Sequence, residues 1–268
     1  MVRRFIQSKD YIFSLIHGKE GADGCYQGLS QILDLPGNLG SVFSASISSS
    51  KWVLSFLAPR LSQGLVHCPD TWILSPRSSS SELDTVIQGL AGRPAIVKPN
   101  SLGHSLYVEF FDSLTPADLK NQIEVIQPYD NEILVQEYIK GVEYSSGVIE
   151  RNGQILALPV AQILTPKHFF GVKEKENNLE KILFLTSSET EQIKLASLKL
   201  FAAIGATNRC RFDFICSDGK IYFLEANPIP GLGKDSILPK MLKEVNLSRL
   251  DLIDICISNS MYHKSKAS

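Results

Sequence analysis

Apolar and polar residues change their spacing along this chain, and the changes mark its elements. Residues 95–98 and 105–111 are short runs rich in β-branched and aromatic side chains, as strands require. Thr115-Pro116-Ala117-Asp118 opens a helix, with Thr115 as N-cap, Pro116 in the first helical position and Asp118 near the positive end of the dipole. That helix carries Leu119, Ile123 and Ile126 on one stripe and stops before Pro128. A buried strand follows over 132–138, then a hairpin, 143–150 with 154–163, around Arg151-Asn152-Gly153. Ser188 and Glu191 read as a capping box before a helix whose Ile193, Ala196, Leu200 and Ile204 face the core, with Gly205 as its stop. Strands over 211–216 and 220–226 precede helices over 237–244 and near 250–257. Strands and helices do not alternate strictly, so the pattern predicts an α+β protein rather than a doubly wound parallel sheet. The serine-rich stretch 75–82 reads as a surface loop, and we find no internal repeat.

The pair of strands at 211–216 and 220–226 is the most informative stretch. Joined by a three-residue loop, Ser217-Asp218-Gly219, they place Asp213 opposite Phe223 and Arg211 opposite Glu225. Side chains alternate across a strand, so Arg211, Asp213, Glu225 and Asn227 then share one face. Hard oxygen donors gathered in this way suit Mg2+, which takes one or two carboxylates and completes its shell with phosphate and water. A two-residue Asp-Gly turn would instead put Asp213 and Glu225 on opposite faces. The plain alternative is a half-buried hairpin with a surface ion pair, but so many polar groups on one face of apolar strands need a reason.

Composition narrows the class. The chain has 268 residues, 44% of them hydrophobic, enough to bury a core in one large domain or two small ones. A formal charge of −1 gives no electrostatic case for nucleic acid or an anionic membrane. Apolar runs such as 52–58 are too short to span a bilayer. The basic start at Arg3 and Arg4 is followed by polar residues 7–10, which interrupt what would have to be a signal core. Five cysteines, odd in number and never in a Cys-x-x-Cys pair, point to a reduced, cytoplasmic chain without structural zinc. The histidines show no paired metal-ligand spacing either.

Several further motifs succeed one another along the chain. They are His17-Gly18-x-x-Gly21-Ala22-Asp23-Gly24-x-x-Gln27-Gly28; Lys51 after Ser44-Ala45-Ser46; and Val97-Lys98-Pro99. Leu134-Val135-Gln136-Glu137-Tyr138-Ile139-x-Gly141-x-Glu143 follows, then Lys175, then the hairpin with Gly231 and Ser236. In this order, from about His17 to the C-terminal end, they resemble the D-alanine–D-alanine ligase family of the ATP-grasp superfamily. The resemblance implies two α+β lobes, 51–130 and 131–268, sandwiching ATP, after a remnant of a substrate domain at 1–50. It implies nucleotide binding by Lys51, Lys98, Gly103, Ser105, Gln136, Glu137, Ile139, Glu143 and Lys175, with Gln136 at the adenine edge and Glu143 on the ribose. It places Mg2+ (two ions, or Mn2+) on Asp213, Glu225 and Asn227, and transition-state stabilisation on Arg211, Gly231 and Ser236. The reaction implied is ligation of a carboxylate to an amine through an acyl phosphate, in the context of peptidoglycan biosynthesis. The partners implied are a small amino acid or another carboxylate and amine, and the resemblance is compatible with a homodimer.

The chain also departs from the family pattern. The family opens with a Gly-rich βα unit bearing a glutamate for the first amino acid, and this chain starts after it. The phosphate loop of the family reads KPxxxGSSxG, whereas Lys98-Pro99-Asn100-Ser101-Leu102-Gly103-His104-Ser105-Leu106-Tyr107 keeps only the first glycine. His104 stands in place of a serine, Tyr107 in place of a glycine, Glu176 in place of a tyrosine, and Ala22 in place of an acidic residue. The ATP and metal half is retained while the amino-acid half is not. Two readings follow: a ligase whose substrate need not be D-alanine, or a nucleotide-binding relative without turnover, in a regulatory or accessory role. A third is a fragment completed by another chain. Singly, Lys98 and Lys175 read as surface lysines, His17 as a core histidine and Glu143 as a solvent-facing strand residue.

Overall fold

The computed structural model describes residues 11–16, 18–164 and 181–267; His17, Lys175 and Glu176 lie outside them. Three short helices come first: α1 (Cys25–Ile32), α2 (Val42–Ser49) and α3 (Lys51–Leu61). A four-stranded antiparallel sheet follows, built from β1 (Thr71–Leu74), β2 (Ala95–Pro99), β3 (Glu109–Phe111) and β4 (Ile133–Glu137) in the order β1-β4-β2-β3. Its helices are α4 (Ser80–Leu90) and α5 (Pro116–Ile126). Val86, Leu90, Leu119, Ile123 and Ile126 from these helices pack on Ala95, Val97, Ile133 and Val135 from one face of the sheet. Strand alternation therefore turns Ile96, Lys98 and Gln136 to the other face.

The second sheet is larger. It holds β5 (Val142–Arg151), β6 (Gln154–Ala157), β7 (Ala161–Leu164), β8 (Lys181–Phe184), β9 (Arg209–Ser217) and β10 (Lys220–Asn227). The order is β10-β9-β5-β7-β8, with β6 also on β5, and every pairing is antiparallel. One face carries Tyr144, Phe212, Phe214 and Phe223 against Leu54 and Ala58 of α3 and Ile193, Leu200 and Phe201 of α6 (Ser188–Ala203). A separate cluster joins Ile149, Leu158 and Ile163 to α7 (Ile237–Glu244) and α8 (Arg249–Ala267) through Leu238, Met241, Leu252 and Ile255. The α+β class expected from the sequence is what forms.

Several boundaries differ from expectation. The division at 130/131 is not where the sheets part: β4 hydrogen-bonds to β1 and β2, and α3 packs against β10. The strand expected over 105–111 shrinks to β3, because His104, Ser105 and Tyr107 adopt left-handed backbone angles (φ 58, 57 and 58) that no strand tolerates. Residues 154–163 divide around Pro159, with β6 and β7 pairing to different parts of β5. The serine-rich stretch begins a helix. Ser79 caps α4 and forms a capping box with Glu82. At α6 the box uses Ser187 and Thr190 rather than Ser188 and Glu191.

Candidate active site

The hairpin β9–β10 turns through two residues, not three. Ser217 pairs with Lys220, and Asp218 and Gly219 both take positive φ (49 and 71), as a tight primed turn requires. That turn alone would have sent Glu225 into the core. The register shifts between Phe223 and Glu225, however, so Leu224 is an extra residue, a β-bulge. Beyond it Glu225 pairs with Asp213 and Asn227 with Arg211. The expected register is wrong and the expected shared face is right, because the bulge supplies the residue the shorter turn lacks.

This face meets the Lys98 face of the four-stranded sheet across a cavity of about 1160 Å3. Lys51, Lys98, Gly103, Ser105, Gln136 and Glu137 line it, as do Ile139 and Glu143. Arg211, Asp213, Glu225, Asn227, Gly231 and Ser236 complete that set. Every site residue expected from the sequence and described by the structure thus borders one space.

The charges inside are interlocked. Arg211 grips Asp213 with two nitrogens, Nε to Oδ1 at 2.9 Å and Nη2 to Oδ2 at 2.7 Å, while Ser145 Oγ donates to Asp213 Oδ1 at 2.6 Å. Burial alone would lower the Arg211 pKa, but Asp213, with Glu225 and Glu143, holds it above its ordinary value. Lys51 Nζ lies 3.3 Å from Glu225 Oε2 and donates to the carbonyl of Leu102 at 2.7 Å. It therefore joins the loop after β2 to the second sheet. Lys98 donates to Gln136 Oε1 at 2.7 Å, and Gln136 Nε2 donates to Thr71 at 2.9 Å. Each end of the Gln136 amide makes a bond within the protein, so it bridges Lys98 to Thr71 and orients the ammonium. Burial, and then the charge of Lys51, bring the Lys98 ammonium down to about 8, with Glu225 opposing. Glu137 pairs with Arg93 Nη1 at 2.8 Å.

Sequence reasoning passed over some of the supports. Asn100, 1% exposed, accepts from the Trp52 amide at 2.8 Å and donates to Glu132 at 2.6 Å and to Ser50 at 3.1 Å. It fixes the start of α3, and hence Lys51, to the ends of β2 and β4. Nothing in its local pattern signals this. Ser145 was accessible, since it shares a face of β5 with Glu143. Ser48, Lys140, Gln162, Lys234 and Asp235 also line the cavity.

Asp213, Glu225 and Asn227 are hard oxygen donors of the type Mg2+ takes. Among the described residues no group of three or more His, Cys, Asp or Glu side chains could hold a metal by itself. Two carboxylates and an amide fit an ion that keeps most of its shell for phosphate and water. Ser236 is the N-cap of α7 yet makes no side-chain capping bond, so its hydroxyl stands beside the positive end of a helix that borders the cavity.

Comparison with known proteins extends this picture. Residues 69–258 match the family model described as D-ala D-ala ligase C-terminus. A D-alanine–D-alanine ligase of Flavobacterium johnsoniae is 30% identical over 257 residues, covering 94% of this chain and 77% of the relative. D-alanine–D-alanine ligase A of Bacillus cereus is 29% identical, over 95% of this chain and 82% of the relative. Among solved structures, the D-alanine–D-alanine ligase of Bacillus anthracis complexed with ATP superposes with a TM-score of 0.76 at 26% identity, covering 97% of this chain and 81% of that one. The two facing antiparallel sheets are those of the ATP-grasp fold. With most of its length matched by the family model, this chain belongs to the D-alanine–D-alanine ligase family.

Proposed function

We propose that this protein is an ATP-dependent ligase that joins the carboxylate of one small amino acid to the amine of another. The observation that carries the reading is the convergence of Lys51, Lys98, Arg211, Asp213 and Glu225 on one cavity between two sheets. The carboxylate oxygen attacks the γ-phosphorus of ATP, and ADP leaves. The amine nitrogen then attacks the acyl carbon, and phosphate leaves with the carboxylate oxygen it acquired. Both steps concentrate negative charge, and fixed cations in a partly desolvated site stabilise it as it develops. Lys98 and Lys51 would hold the phosphates, with Lys51 giving up its pairing to Glu225. Arg211, held in orientation by Asp213, would stabilise the transferred phosphoryl group and then the tetrahedral centre. Asp213, Glu225 and Asn227 would hold Mg2+, which when bound neutralises phosphate oxygens. Glu143 would accept from the ribose hydroxyls. Two lobes, one around the four-stranded sheet and the other around the six-stranded sheet with α3, would grip the nucleotide, a division that the strand pairings support.

Among the described residues no helix is long and apolar enough to cross a membrane. The test is ADP release by the purified chain over a panel of D- and L-amino acids. The reading predicts Mg2+-dependent release that an amino acid stimulates and that yields a dipeptide. ATP binding without stimulated release would identify a nucleotide-binding relative without turnover.

A further inference from the structure

The loop from Asn100 to Val108 joins β2 to β3, and Gly103, His104, Ser105 and Val108 on it line the cavity. His104, Ser105 and Tyr107 hold left-handed backbone angles (φ 58, 57 and 58), which side chains disfavour. Such angles persist only where the surroundings impose them. The connection from α5 to β4 does so at both ends of the loop. At its start, Asp130, 6% exposed, accepts from the Ser101 amide at 2.8 Å and from the Ser101 hydroxyl at 2.7 Å. At its end, the Tyr107 ring stacks on Tyr129, with centroids 4.3 Å apart and planes 15° from parallel. Gln122 of α5 donates to the Tyr107 carbonyl at 2.9 Å. The connection is held in turn from a distant part of the chain: Lys19 Nζ donates to the Tyr129 carbonyl at 2.6 Å, and its neighbour Gly18 lines the cavity.

Tyr107 is the unexpected member of this arrangement. The family pattern has glycine at its position, and glycine takes the left-handed angle without strain while leaving the backbone free to move. A tyrosine takes on the strain, and its ring stack offsets it while fixing the end of the loop. Resting on the ligase reading above, we propose that Tyr107 is a positioning residue: stacked on Tyr129, it sets the 100–108 loop for the nucleotide phosphates before they arrive. It stands outside the cavity lining and acts through Gly103, His104 and Ser105, which border it. A loop already in its bound shape costs less ordering when the nucleotide enters, so the stack contributes to affinity. Lys51 donates to the Leu102 carbonyl within the same loop at 2.7 Å, which couples the loop's position to a cation assigned above to the phosphates.

The test is Mg-ATP affinity, by titration calorimetry on the full chain, in a double-mutant cycle of Tyr107→Gly and Tyr129→Ala. The proposal predicts that each single variant binds about tenfold more weakly, and that the double variant binds no more weakly than either, because all three lose the same stack. It predicts parental affinity in Tyr107→Phe, which keeps the stacking ring. A role confined to stability would lower melting temperatures without moving these affinities, and that result overturns the proposal. Losses that add in the double variant overturn it as well, and so does a Tyr107→Phe variant as weak as Tyr107→Gly. In each of these cases the ligase reading stands. A parent chain that binds no Mg-ATP overturns that reading, and this inference with it.

Discussion

Lys98 is half-buried, and its ammonium is held on Gln136 Oε1 at 2.7 Å. Burial and Lys51 lower its pKa to about 8, so the free protein sheds this proton well before an ordinary lysine does. A bound triphosphate favours the ammonium and draws the pKa back up. The sign follows: between about pH 8 and the higher pKa of the bound state, nucleotide binding takes up a proton at Lys98, and well below pH 8 none is taken up. Calorimetry at pH 8.5 in two buffers of different ionisation enthalpy should show an uptake of up to about three quarters of a proton, absent in Lys98→Met. At Glu225 the expectation concerns charge alone. Glu225→Gln keeps the shape, removes the charge proposed to hold Mg2+ and frees Lys51, so Mg2+-dependent ATP affinity should fall tenfold or more, about 1.4 kcal/mol upward. Unchanged binding by titration calorimetry would remove Glu225 from the metal site.

Among the elements, the β9–β10 hairpin shows where local pattern stops being informative. Its alternation of Arg211, Asp213, Glu225 and Asn227 revealed the shared face, because polar groups at even spacing stand out among Phe212, Phe214 and Phe223. The bulge left no trace, since Leu224 reads as any strand residue and only pairing with β9 makes it extra. Helix α5 was fully legible, from its Thr115 cap to its Leu119–Ile123–Ile126 stripe. Helix α4 was not, because the capping box of Ser79 and Glu82 lay inside a serine run that looked like a loop. Position 141 gives an element-level prediction. A methyl at Gly141 would run into the Cys216 carbonyl oxygen, which is backbone and cannot step aside. Gly141→Ala should cost about 1–3 kcal/mol in urea unfolding and weaken nucleotide binding, since this residue ends the connection from β4 into β5, two residues before Glu143. Wild-type stability would show that the close approach is not tight.

For the whole molecule, two sheets each bury one face under helices and turn charged side chains of the other face to a common cavity. The sequence motifs named nearly all of these groups, because their residue types and order along the chain stand out in the sequence. What they could not supply was the bonding between them: Asn100 tying α3 to β2 and β4, or Lys51 reaching both the Leu102 carbonyl and Glu225. Those links are set by tertiary contact and have no local period. They hold the cations where a carboxylate and a triphosphate would meet, and an acyl phosphate formed there carries an atomic signature. One carboxylate oxygen of the first amino acid must leave on phosphate. The direct measurement is turnover with an amino acid labelled with 18O in its carboxylate, followed by mass analysis of the released phosphate. The account predicts phosphate carrying one labelled oxygen, formed together with ADP and dipeptide. Unlabelled phosphate released with ADP would show that water, not the carboxylate, receives the phosphoryl group, and would contradict the ligase mechanism.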